Sequence, residues 1–183
     1  MDIDELIKLR KDILENSANE DGYVSQQTFL ETVLPSAVET GLIESEDINF
    51  VPPNQNFNVL GYNENESGER LQLYIVDQDS ISLSKKKDDL IRSRKDSHNS
   101  HFKLALEFVK KSMKGHTDVL IQDSDPLAVL ANQLFSSSFV DKIDVIEIIL
   151  FSATVATETR GKELDVKKFE FDDSTVTARI TKN

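Results

Sequence analysis

"RLQLYIV", residues 70–76, decides the fold. Leu71, Leu73 and Ile75 point one way and Tyr74 and Val76 the other, so both faces are largely apolar. That is the pattern of an interior strand covered on both sides. Upstream, "FNVLGY" (57–62) reads as its partner strand, and the polar, glycine-containing "NENESGE" between them has the composition of a hairpin connection. "DINFV" (47–51) predicts a brief strand that ends at Pro52 and Pro53.

Helices flank this hairpin in the sequence. Residues 2–15 put Ile3, Leu6, Ile7, Ile13 and Leu14 on one face, with Asp2 as N-cap and Glu5 three residues on. Ser25 opens a second helix with a broad stripe of Phe29, Leu30, Val33, Leu34, Ala37, Val38 and Leu42. Pro35 lies inside that stripe and predicts a kink or restart, because it lacks a backbone donor and its ring crowds the preceding turn. Downstream, residues 82–113 have helical propensity, with Phe102, Ala105, Val109 and Met113 on an apolar stripe beside Leu106, and a polar first half. A shorter helix starts with Pro126 at its first position, residues 140–151 form a buried strand rich in Ile and Val, and "VKKFEFDDSTVTARI" adds two last strands. The expected fold class is therefore α/β, a single mixed sheet with packed helices. Residues 1–183 are read as one domain, with an N-terminal helix and turn over 1–23 and a sheet-containing core over 24–183. The end at "ITKN", soon after a strand, gives the expectation of an N-terminal fragment of a longer protein.

Composition narrows the chemistry. The 183 residues are 38% hydrophobic and 30% charged, enough apolar content to offset the entropy of ordering one domain. Cysteine is absent, which excludes disulfides, thiolate metal sites and a cysteine nucleophile. No basic leader precedes an apolar stretch, and the most apolar run, from Val145, is interrupted by Glu147 and far short of the ~20 residues that span a bilayer. A cytoplasmic protein with no membrane association is expected.

The net charge of −12 is unevenly spread. Ten of the 21 Lys and Arg lie between Lys85 and Lys114 against four acids, a local net of +6 that leaves −18 elsewhere. The acidic whole argues against coating nucleic acid in bulk, whereas a local basic stripe can still guide a strand. Its candidate phosphate-contacting residues are Lys85, Lys86, Lys87, Arg92, Arg94 and Lys95. Cations at a helix start oppose the macrodipole, so they imply an acidic neighbour or an anionic partner. The segment lacks the interleaved aromatics on which single-strand binders stack bases.

The helix "QQTFLETVLPSAVETGLIES", the strand pair "FNVLGYNENESGERLQLYIVD" and the later "KIDVIEIILFSATVATETRGKEL" resemble the N-terminal region of the bacterial abortive-infection phage-resistance (AIPR) family. The resemblance covers most of residues 24–170. It implies a role in antiviral defence within a multidomain protein, with C-terminal domains as partners. The order of a helix, three strands, a helix and a strand is also similar to the restriction-endonuclease-like core, here in degenerate form. That chemistry needs an acid on one strand and acid-x-Lys on the next, so that carboxylates hold a divalent metal. Leu60 occupies the natural acid position, and "LQLYIVDQDS" contains no acid-x-Lys. The remaining acids are Asp77 and Asp79 at the strand end and Glu31 and Glu39 on the preceding helix.

His98 and His101, three apart on one helical face, could bind zinc with a carboxylate, but the spacing lacks a zincin signature. The expected function is a noncatalytic module that binds nucleic acid or a protein partner through the basic helix. The alternatives are a metal-dependent nuclease with rearranged acids and a structural or oligomerising scaffold. No catalytic residue and no resident metal are assigned, and a divalent cofactor enters only with the nuclease alternative.

Overall fold

The alternating apolar faces of residues 70–76 form the central strand of the sheet in the computed structural model. The structure describes residues 3–53, 56–81, 92–93, 95–116, 126–153, 155–156 and 175–181, with side chains described for 7–53, 56–81, 98–116 and 126–153. In chain order the elements are α1 (Ile3–Ser17), α2 (Gln26–Glu39), β1 (Asn49–Phe50), β2 (Gly61–Glu64), β3 (Arg70–Val76), β4 (Arg92–Ser93), α3 (Lys95–Met113), α4 (Pro126–Phe135), α5 (Ser137–Val140), β5 (Val145–Phe151), β6 (Val155–Ala156) and β7 (Thr175–Thr181). The sheet is open and mixed, in the order β1-β2-β3-β5-β7. Its first three strands are antiparallel neighbours, β5 runs parallel to β3, and β7 runs antiparallel to β5. The short strands β4 and β6 form a separate parallel ladder.

Strand parity sorts the core into two layers. Leu71, Leu73, Ile75, Ile148 and Leu150 pack against Ala105, Phe108 and Val109 of α3 and Leu127, Leu130 and Leu134 of α4. Tyr74, Val76, Ile149 and Phe151 pack on the opposite face with Leu14 of α1 and Phe29, Leu30, Val33 and Leu34 of α2. The period-2 alternation of the strands thus meets the period-3.6 stripes of the helices on both sides. One polar ladder crosses the second face. Gln72 donates to Glu147 Oε2 at 2.9 Å across the β3–β5 pair and accepts from the Tyr74 hydroxyl at 2.9 Å. Burial, reinforced by Glu147, raises the pKa of that phenol, which stays protonated and serves as a donor.

Several local expectations hold. Ser25 caps α2 through a capping box with Thr28, Pro126 opens α4, and β3 spans the expected residues. Others require correction. The helix expected over 82–113 is not continuous: α3 is described from Lys95, and Arg92–Ser93 is a strand with a ladder partner in Val155–Ala156, a long-range pairing that propensity cannot register, while residues 82–91 and 94 lie outside the described residues. The strand expected over 57–62 is displaced to Gly61–Glu64, with Phe57 and Val59 buried before the ladder begins. The strand expected over 140–151 starts at Val145, after the short α5. Helix α2 continues through Pro35 without a restart, and Pro35 lies on its exposed side. On α3 the buried aromatic is Phe108, whereas Met113 is exposed. The N-cap expected at Asp2 lies outside the described residues.

Gly61 shows how closely β1 and β2 approach. A Cβ there would lie 2.9 Å from Ile48 Cδ1 and 3.3 Å from the Asn49 carbonyl oxygen, both tighter than ordinary contact. The Ile48 methyl can yield, but the carbonyl belongs to the paired strand. Gly61→Ala is therefore expected to lower stability by about 1–2 kcal/mol, toward the low end of overpacking costs. Urea unfolding at pH 7 measures it, and an unchanged midpoint would show that the β1 edge moves without penalty.

Candidate functional site

The parallel pairing of β3 and β5 brings two carboxyl ends side by side, Val76 opposite Phe151. In open α/β sheets this edge is where ligands characteristically bind. Asp77 follows β3, and Ser152 and Ala153 follow β5. By strand parity Asp77 and Ser152 both face the α3 layer, and the Ser152 hydroxyl donates to Asp77 Oδ2 at 3.1 Å. Ser80 stitches the two ends together, donating to the Asp77 carbonyl at 2.6 Å and accepting from the Ala153 amide at 2.9 Å.

Helix α3 supplies the other half. His98 and His101 lie on one face of its first turns, so the spacing that suggested a shared face brings both rings to one carboxylate. His101 Nε2 is 3.4 Å from Asp77 Oδ1, and His98 Nε2 is 3.8 Å from Asp77 Oδ2. Asp77 is 2% exposed and His98 5%, so the charge sits inside the protein.

The hydrogen bonds determine the His101 tautomer. Asn58 Nδ2 is 2.8 Å from His101 Nδ1 and 3.4 Å from the Val76 carbonyl oxygen. A carbonyl can only accept, which identifies the amide nitrogen, so Nδ1 of His101 accepts and Nε2 carries the proton directed at Asp77. At 3.4 Å that contact is longer than a well-formed hydrogen bond, and Asp77 Oδ1 has no other donor among the described residues.

Electrostatics follow from this geometry. Burial opposes ionisation of Asp77, but His101, the Ser152 hydroxyl and His98 together hold its pKa below the usual carboxylate range. Burial pushes the His98 pKa down, Asp77 opposes that shift, and His101 adds to it. At neutral pH the cluster is an ionised carboxylate beside a neutral His98. It is suited to holding or passing a proton, and less to binding a metal, because the protonated Nε2 of His101 has no lone pair to offer. Among the described residues no group of three or more His, Asp or Glu is arranged to hold a metal ion.

The acids weighed for a nuclease do not converge. Asp79 is exposed beside buried Asp77, and Glu31 and Glu39 lie on the exposed side of α2, in the layer across the sheet from Asp77. Glu31 accepts from Gln27 on its own helix at 2.9 Å. Of the basic residues singled out, Lys85, Lys86, Lys87 and Arg94 lie outside the described residues. Arg92 belongs to β4 and Lys95 opens α3, and their side chains are likewise outside the description.

Sequence reasoning missed Arg10. Its residue type argued for solvent although helical periodicity puts position 10 in the middle of the apolar stripe of α1; it is 6% exposed, donating from Nε to the Ala153 carbonyl at 2.8 Å and from Nη2 to the Ser80 carbonyl at 3.2 Å. It reaches the two chain turns that carry Asp77 and Ser152 from the opposite face of the sheet. The local signal was its place on the stripe, between Leu6 and Ile7 on one side and Ile13 and Leu14 on the other, where Lys8 and Lys11 do not lie.

Comparison with known proteins gives one match. A family model described as "Abortive infection phage resistance protein N-terminal domain" matches residues 29–181. No curated protein and no solved structure matches the chain. No helix among the described residues is long and apolar enough to cross a membrane.

Proposed function

This chain belongs to the family of abortive infection phage resistance protein N-terminal domains, and from that premise we propose that it is a noncatalytic module that binds nucleic acid. The binding element is the basic segment, Lys85, Lys86, Lys87, Arg92, Arg94 and Lys95. One observation carries this reading: the described residues before, within and after the segment are anchored near the carboxyl edge of the parallel strands. On one side the Ser80 hydroxyl bonds both strand ends, and Ile81 is buried. On the other, Arg92–Ser93 pairs with Val155–Ala156 just beyond β5, and His98 approaches Asp77. Residues 85–95, six Lys and Arg against two Asp, are thus flanked by described residues at the position where open α/β sheets take ligands.

A sheet resembling a degenerate restriction-endonuclease-like core is a finer reading of the same architecture. The run of α2, three strands, α3 and β5 supports it, while Leu60 and the missing acid-x-Lys set it apart from an active nuclease. C-terminal domains of a longer protein are the proposed protein partners.

Fluorescence anisotropy with labelled DNA and RNA at several salt concentrations tests the reading. If all six cations meet phosphates, log K is expected to fall against log salt with a slope of roughly −4 to −5. Replacing the six with Gln should flatten that slope and remove binding at low salt. Absence of any binding at low salt by the unaltered chain would refute the reading.

A further inference from the structure

Arg10 is a buried cation with no counter-charge beside it among the described residues. Its two described hydrogen bonds go to neutral carbonyls, and no ion pair among the described residues includes it. Its third nitrogen, Nη1, is buried and has no hydrogen-bond partner. A buried charge left unneutralised and a buried donor left unsatisfied both cost free energy, and each calls for a specific explanation. The bland explanation is a strap that ties the Ser80 and Ala153 turns together. Two carbonyls account for two of the three guanidinium nitrogens, however, and leave the charge unanswered.

The position and the chemistry identify what would answer it. The guanidinium lies at the carboxyl ends of β3 and β5, beside the flanks of a strongly basic segment. With Nε and Nη2 engaged, Nη1 is the donor left over, and an anionic oxygen would take from it a charge-assisted hydrogen bond. Helix α1 precedes the matched residues 29–181, so the family match assigns Arg10 no role.

We propose that Arg10 forms the floor of a phosphate-binding site at the carboxyl edge of the parallel strands, donating from Nη1 to a phosphoryl oxygen. The site stands on the geometry of Arg10; identifying the phosphate as one in a nucleic-acid backbone rests on the function proposed above. Nη1 is covered in this conformation, so occupancy requires a local opening at α1, and binding is expected to perturb that helix.

The test is NMR of the arginine Nε–Hε resonances in the full chain, with inorganic phosphate titrated at constant ionic strength against sodium chloride. A saturable shift of the Arg10 resonance and of α1 amides is expected. Arg10→Met should weaken phosphate binding about 10- to 100-fold, as loss of a charge-assisted hydrogen bond does, and Arg10→Lys should restore only part of it. If Arg10→Met does not fold, the unaltered Arg10 resonance decides alone. No shift with phosphate, or equal affinity in the folded Met variant, overturns the site.

Short DNA and RNA strands then distinguish the source. Strands that move the Arg10 resonance identify a backbone phosphate. Phosphate that moves it while strands do not bind keeps the site and removes nucleic acid as its ligand. Strands that bind through the basic segment while neither they nor phosphate move Arg10 keep the proposed function and overturn the site.

Discussion

Asp77→Ala is expected to lower stability by about 3 kcal/mol in urea unfolding at pH 7, because the buried Ser152 hydroxyl and the His101 N–H lose their acceptor and stranded donors cost about 1–3 kcal/mol each. The carboxylate ties together the carboxyl ends of β3 and β5 and the first turns of α3, so its loss loosens three elements at once. Asp77→Asn retains an acceptor and should cost less than Ala. A double-mutant cycle between Asp77→Ala and His101→Ala isolates their coupling, expected at about 1 kcal/mol or more for groups in one network. Additive losses would show that the 3.4 Å contact contributes nothing and that Asp77 acts through Ser152 alone.

The second large effect is loss of stability in acid, in two steps. The folded pKa of His98 lies below its unfolded value of 6.5. The unfolded chain therefore binds the proton first, and stability falls as pH drops from near 6.5 through the folded pKa. The folded pKa of Asp77 lies below 3.8, so its contribution is present above that value and disappears as pH falls through the folded pKa. Each step has a slope of up to about 1.4 kcal/mol per pH unit. Among the described residues the titratable groups that act on His98 are Asp77 and His101, and its own shift arises chiefly from burial. His98→Gln should remove the upper step and leave the lower one, as followed by unfolding free energies between pH 7 and pH 3. A variant with the unaltered upper step would show that His98 is as readily protonated in the fold as outside it.

Both effects arise where distant segments meet, and that is where the sequence was hardest to read. The strand at 70–76, the Ser25 cap and the Pro126 start were legible because each rests on neighbours within one or two turns. The acid at the end of β3 and the paired histidines of α3 were each visible, but as separate features. Nothing in "YIVDQDS" or "DSHNSHFK" indicates that they face each other. That follows from the parallel register of β3 with β5 and from the packing of Phe108 and Val109, which sets the rotation of α3 over the sheet.

Arg10 is the clearest case. Helical periodicity puts position 10 on the same inward face as Leu14, yet the chemistry of an arginine argues for solvent. Only the tertiary fold supplies two carbonyls, 70 and 143 residues away in sequence, that let a guanidinium be buried. Gly61 has the same origin, since its need for a missing Cβ comes from Ile48 and Asn49 at the neighbouring strand β1. The sequence by itself determined the class of the fold, the covered strand at its centre and the family resemblance, because hydrophobic period and capping chemistry are local. Which end of the sheet gathers Asp77, His98, His101, Ser152 and Arg10 was decided by tertiary structure alone, because strand pairing and helix rotation minimise the energy of contacts between residues that are remote in the chain.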